Sequence, residues 1–134
     1  MPYALFVCLQ DDDKIAAFAI DAETGRLTPQ TEVAAAGGPS VMATSLDRRT
    51  LYVGHRTRPA ISSYRINQST GGLTLLGTVS QEHAPTFLAP DRVGKYLLCA
   101  YYQGAVRPFI LTEKTVRWER HPSAGWPQRP APKP

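Results

Sequence analysis

A chain of 134 residues is long enough for one small domain and no more. Its composition, 43% hydrophobic and 19% charged, is that of a folded globular protein and excludes a disordered or fibrous one. The net charge of +4 sits at one end: residues 1–106 carry nine Lys/Arg and nine Asp/Glu, residues 107–134 six and two, so the body is neutral and is not expected to bind nucleic acid.

The first expected strand covers residues 4–9. Its apolar run, Tyr3 to Leu9, is too short for a signal-peptide core, and no basic residue precedes it. No apolar run reaches the length of about eighteen residues that a membrane-spanning helix needs. A cytoplasmic protein with no membrane contact is therefore expected. Asp11-Asp12-Asp13 follows as a solvated hairpin loop. Three adjacent carboxylates splay apart and do not converge on one ion, so no metal site is expected there. Strands over 14–20, 27–35 and 40–46 come next, with Thr24-Gly25 at a hairpin turn that needs positive φ.

The pattern then starts again. Leu5-Phe6-Val7 returns as Leu51-Tyr52-Val53 and as Leu97-Leu98-Cys99, a period of 46 residues. Ile15, Phe18 and Ile20 return as Ile61, Tyr64 and Ile66. Thr24-Gly25 and Leu27-Thr28 return as Thr70-Gly71 and Leu73-Thr74, and Pro39 returns as Pro85. Asp47-Arg48 corresponds to Asp91-Arg92 with a compensated shift of two residues; each Asp sits where its side chain can bond the backbone of the turn before a strand. The second unit thus reads as strands over 51–55, 60–66, 73–80 and 84–89. No stretch has helical periodicity. Four short strands per unit of this length predict an all-β fold of β-propeller blades, two complete four-stranded blades and part of a third, over residues 1–106. Cys8 and Cys99 fall one position out of step on equivalent strands, hence on opposite faces, and are expected as buried free thiols.

After residue 106 the composition changes. Residues 107–134 hold the end of a third-blade strand, six of the twelve prolines and both tryptophans. Proline removes ladder donors, so the Pro/Arg-rich end is expected to be irregular. Abrupt loss of the repeat suggests a shifted reading frame or misplaced stop; the alternative is a segment that docks as polyproline II. With few basic residues and no interleaved aromatics, it offers no stacking platform for nucleic acid.

The LYVG-x-R strand start (Leu51 to Arg56) with its partner Ile61–Ile66, the TG-x-L-T hairpin (Thr70 to Thr74) and the segment Tyr101-Tyr102-Gln103-Gly104 resemble motifs of the seven-bladed lactonase family, which includes 6-phosphogluconolactonase and carboxymuconate cyclase. The likeness covers residues 3 to about 106. It implies a cofactor-free hydrolase that opens a sugar-acid lactone, or a cyclase acting on a dicarboxylic acid. The ligand implied is a small-molecule lactone or sugar-acid phosphate. The family's catalytic His, Arg and Glu lie mostly in later blades, so this chain alone is expected to be inactive, the N-terminal portion of such an enzyme. A non-catalytic propeller fragment serving binding or assembly is the alternative from another class.

Arg56 follows a strand at what would be the channel mouth, where a guanidinium grips a carboxylate or phosphate in bidentate fashion. Tyr101, Tyr102 and Gln103 end the corresponding third-blade strand and are candidates for hydrogen bonds to a polyol. His83 and His55 are the candidate general bases. No CxxC, HExxH, Walker or GxGxxG signature is present, and Gly37-Gly38-Pro39 reads as a turn. Two blades and a part leave apolar faces uncovered, so the chain is expected either not to fold stably alone or to associate with further copies that cover those faces, a ring of two or three chains being one such arrangement.

Overall fold

Strand-forming stretches between Asp, Asn and Gly turns fold into successive antiparallel hairpins. The computed structural model describes residues 3–102, 104–111 and 116–117. Its strands are β1 (Ala4–Leu9), β2 (Lys14–Ile20), β3 (Leu27–Ala34), β4 (Pro39–Thr44), β5 (Thr50–His55), β6 (Ala60–Ile66), β7 (Leu73–Ser80), β8 (Pro85–Pro90), β9 (Tyr96–Tyr101), β10 (Val106–Leu111) and β11 (Val116–Arg117). A single 3-10 turn, Gln10–Asp12, links β1 to β2. Among the described residues no helix is long and apolar enough to cross a membrane.

The strands make three sheets, ordered β1-β2-β3, β4-β5-β6-β7 and β8-β9-β10-β11. Neighbouring sheets meet along their first strands, β1 beside β4 and β4 beside β8, which is the radial arrangement of propeller blades. The sheets are out of phase with the sequence repeat by one strand. Segment 40–46 closes the first repeat unit in sequence, yet as β4 it opens the second sheet; β8 opens the third in the same way. The partial sheet is therefore the first, not the last. Turn chemistry explains the phase. Asp47 accepts from the Ser45 hydroxyl at 2.6 Å and from the Arg49 amide at 3.0 Å, and this tight turn pairs β4 with β5. Between β3 and β4, by contrast, Gly37 and Gly38 adopt φ of 102° and 74° and carry the chain across to a new sheet.

The local turns repeat with the period. Asp21 accepts from the amides of Glu23 and Thr24, and Asn67, 46 residues on, accepts from those of Ser69 and Thr70. Asp91, the counterpart of Asp47, accepts from the amides of Lys95 and Tyr96 in the β8–β9 turn. β10 carries the third sheet beyond residue 106, and β11 pairs with it at Ile110↔Arg117 and Leu111↔Val116. The remainder of the Pro/Arg-rich tail, with the expectations placed on it, lies outside the described residues.

Two apolar seams hold the sheets together. The first joins Ile15 and Ala35 to Leu51, Val53, Tyr64 and Ile66. The second joins Tyr52 and Ile61 to Leu88, Leu97, Cys99, Tyr101 and Phe109. Strand alternation divides the middle sheet between them: Leu51 and Val53 face one seam, Tyr52 the other. Each fully buried aliphatic side chain stabilises by about 1.5–3 kcal/mol. Cys8 packs on the first seam and Cys99 in the second, and both are free thiols. On the outward face of the third sheet the alternate residues Phe87, Leu98 and Val106 are exposed.

At Gly54 the second sheet is tightly packed, both by its own β4 and by β8 of the third sheet. A Cβ there would lie 2.5 Å from Val41 Cγ2 and 3.0 Å from Pro85 Cβ. Gly54→Ala is expected to force β8 away and to cost about 1–3 kcal/mol, the range for overpacking a tight interior. Urea unfolding measures this; an unchanged midpoint would mean that the seam has slack.

Candidate functional site

The period places chemically different residues at one structural position. Positions 10, 56 and 102 are 46 residues apart and follow the ends of β1, β5 and β9. Those strands hold equivalent places in successive sheets, and Gln10, Arg56 and Tyr102 line one opening. Positions 40 and 86 share the same spacing, and each is a β-bulge. In β4 the pairing jumps from Pro39↔His55 to Val41↔Gly54, and in β8 from Pro85↔Tyr101 to Phe87↔Ala100. A bulge leaves its extra residue out of the ladder and turns its side chain, here Ser40 and Thr86. These five residues, with Val41, Ala84 and Pro85, line a cleft of about 510 Å³, a size that suits a small organic ligand.

The cleft's polarity follows from which groups are already engaged. Ser40 Oγ donates to the Gly54 carbonyl at 3.3 Å, and Thr86 Oγ1 to the Ala100 carbonyl at 3.1 Å. Each hydroxyl has spent its proton on the backbone and presents lone pairs to a ligand. Arg56 is exposed, and its guanidinium has no partner among the described residues. Its five donors suit a carboxylate or phosphate. Gln10 offers both donor and acceptor, and Tyr102, 89% exposed, offers a phenol and a ring face. The site thus pairs one cation with acceptors on either side. That is complementary to an anion bearing hydroxyl groups.

The structure brings together Arg56 and Tyr102 of the residues singled out from sequence. Tyr101 faces the other way. It is buried in the second seam, donates to Gln81 Oε1 at 2.6 Å, and lies under the Arg107 guanidinium, 5.6 Å from its ring centre. Burial raises its phenol pKa well above the ordinary value. Gln103 lies outside the described residues. His83 is exposed on the β7–β8 connection, one residue before the cleft-lining Ala84. His55 is 2% exposed and belongs to the first seam. Its Nε2 bonds Ser62 Oγ at 2.8 Å, Ser62 bonds Thr78 at 2.9 Å, and its Nδ1 has no partner. Gln10, Ser40 and Thr86 were not singled out from sequence. Their signal was available as the 46-residue spacing from Arg56 and between the two bulges.

Burial pushes the thiols of Cys8 and Cys99 up to about 11, so neither is a nucleophile near neutral pH. Among the described residues no three His, Cys, Asp or Glu side chains converge as metal ligands.

The chain matches the family described as lactonase, 7-bladed beta-propeller, over residues 4–121. It is 34% identical over 105 residues to a 6-phosphogluconolactonase of Pectobacterium atrosepticum, covering 78% of this chain and 31% of that protein. A 6-phosphogluconolactonase of Yersinia pestis is 35% identical over 102 residues, 76% of this chain and 30% of the relative. The chain thus spans about a third of the length of these relatives. Among solved structures, a periplasmic gluconolactonase of Pseudomonas aeruginosa superposes with a TM-score of 0.75 at 22% identity, over 86% of this chain and 35% of that one.

His55 makes stability depend on pH. Burial lowers its pKa from the ordinary 6.5; the Asp13 carboxylate pulls it up and Arg58 pushes it down by lesser amounts. The folded protein thus binds this proton more weakly than the unfolded chain. The contribution is fully present above pH 6.5 and is lost as the pH falls below it. Urea midpoints are expected to drop between pH 7.5 and 5.5, and His55→Gln to flatten that slope. A midpoint constant across this window in the parent protein would refute the assignment.

Proposed function

Given that the chain belongs to the seven-bladed β-propeller lactonase family, we propose that its cleft binds the anionic, hydroxylated part of a sugar-acid lactone for hydrolysis. The carrying observation is the guanidinium of Arg56, without a partner among the described residues, in a cleft also lined by the Ser40 and Thr86 hydroxyls, which donate to the backbone and present lone pairs. A phosphorylated aldonolactone has one anionic group and several hydroxyls, which is the same pattern. Arg56 holds the anion, Ser40 and Thr86 accept from ring hydroxyls, and Gln10 and Tyr102 border the sugar. Substrate binding is the share of the reaction that these three sheets supply.

Hydrolysis also needs a base to draw a proton from water as it attacks the lactone carbonyl. Of His55 and His83, the latter is exposed and precedes the cleft-lining Ala84 in sequence, and we take it as the base candidate of this chain. The ring of His55 is committed to Ser62 within the seam. A dicarboxylate-processing cyclase is less well matched, because among the described residues Arg56 is the one cation lining the cleft. We place the protein in a reducing, cytoplasmic setting, in keeping with two free thiols. Self-association through the apolar outward face of the third sheet belongs to the same reading.

Binding of 6-phosphogluconate, the hydrolysis product, tests the proposal by calorimetry. Binding is expected to weaken by about tenfold to a hundredfold in Arg56→Gln, as for loss of a charge-assisted hydrogen-bonded contact. Unphosphorylated gluconate should be less affected by the substitution. Equal affinity in parent and variant would remove Arg56 from the site.

A further inference from the structure

The Arg56 guanidinium has no partner among the described residues, so what the structure holds in place is the backbone from which it projects. Its amide donates to the Gly38 carbonyl at 2.8 Å, and the amides of Thr57 and Arg58 donate to the Gly37 carbonyl at 3.0 and 3.1 Å. The loop after β5 is thus hung on the Gly37-Gly38 turn. That turn is held in its own right: the Gly38 amide donates to Asp13 Oδ1 at 2.8 Å, and the Ala35 amide to the Asp13 carbonyl at 2.7 Å. A Cβ on Gly38 would sit 2.8 Å from Thr57 Oγ1, so turn and loop are in close contact. Asp13 has a left-handed backbone, φ 50° and ψ 47°, which aims its carboxylate at the turn. Asp13 is itself exposed, as are Asp11 and Asp12, in the acidic connection between β1 and β2.

We propose that Asp13 is a positioning residue of the cleft, its carboxylate holding the Arg56 loop in place through Gly38. The inference rests on Arg56 being a ligand contact. One short turn then sets two walls of the cleft, since Gln10, which lines it directly, begins the same 3-10 turn.

The repeat supplies an internal comparison. At the next seam the positions equivalent to Asp13 and Gly38 are Pro59 and Ala84. The backbone link recurs there, with the Gln81 amide donating to the Pro59 carbonyl at 2.9 Å. The carboxylate link does not recur, because proline has none to offer. That backbone bond extends the ladder within one sheet, β2 with β3 and β6 with β7, so it recurs whether or not a carboxylate is present. The added carboxylate appears at the seam that carries the cationic loop.

Two variants separate side-chain support from backbone conformation. Asp13→Gly keeps the left-handed backbone without strain and removes the acceptor. Asp13→Asn keeps both the backbone preference and an oxygen that can accept from Gly38. Hydrogen exchange on the 134-residue chain is the primary measurement. The amides of Gly38, Arg56 and Thr57 are expected to exchange about tenfold faster in Asp13→Gly and near parent rates in Asp13→Asn, with β2 and β5 amides unchanged. Affinity for 6-phosphogluconate should fall by about tenfold in Asp13→Gly and recover in Asp13→Asn. Unchanged exchange at Arg56 in Asp13→Gly would overturn the proposal. So would a uniform increase across β2 and β5, which would mark a role in stability alone, or unaltered affinity despite a loosened loop. If the parent chain fails to bind the probe, the proposed function falls, while the exchange rates still decide whether Asp13 holds the loop.

Discussion

The middle sheet is buried on both faces, and the rest of the structure depends on this. A sheet with one wet face can alternate apolar and polar residues, whereas β5 and β6 must satisfy a seam on either side. They are buried almost without interruption from Leu51 to His55 and from Ala60 to Tyr64. Polar side chains there are paired in a chain from His55 Nε2 through Ser62 to Thr78, with His55 Nδ1 left over. Closeness at the seams also rules out bulk at Gly54. With both neighbours pressed against it, the middle sheet fixes where β1, β5 and β9 end relative to one another. The cleft is the place where those ends meet.

Much of this was legible in the sequence because a repeat constrains many positions at once. The strands over 60–66 and 73–80 were found to the residue, since Asn67 and Gly71 bracket the turn between them. The phase of the sheets was not legible. A period gives the length of a unit, and the cut between sheets depends on whether a connection closes a hairpin or crosses to a new sheet. Here Asp47 closes a hairpin through local bonds to Ser45 and Arg49, whereas the Gly37-Gly38 pair is tied to residues distant in sequence, Asp13 and Arg56 to Arg58.

The candidate site divides in the same way. Arg56 and Tyr102 could be picked out because they end strands. Tyr101, next in sequence to Tyr102, goes to the seam, as strand alternation requires. The bulges that aim Ser40 and Thr86 have no composition signal of their own; they appear only when β4 is laid against β5 and β8 against β9. Comparing equivalent positions directly, 10 with 56 with 102 and 40 with 86, would have assembled the cleft without coordinates. Asp13 would still have been missed, since what singles it out is a bond to a residue 25 positions away.

Repetition gives each sheet the same scaffold, so chemistry can differ only in side chains placed on it. Gln10, Arg56 and Tyr102 occupy one geometry with an amide, a cation and a phenol. A charge in an open cleft is useful only if it stays put, and long side chains lose entropy when they are held. Ordering the loop backbone reduces what binding must still immobilise, which is the benefit of preorganisation. The seam with the cation has Asp13 in place of proline and Gly38 in place of alanine. The Asp13 carboxylate adds a bond from the neighbouring sheet to the turn whose carbonyl accepts the Arg56 amide, whereas the seam beside Tyr102 does without it. A broad aromatic surface tolerates small displacements that a bidentate grip on an anion does not. The asymmetry between two otherwise equivalent seams therefore follows from the difference in what each must hold still.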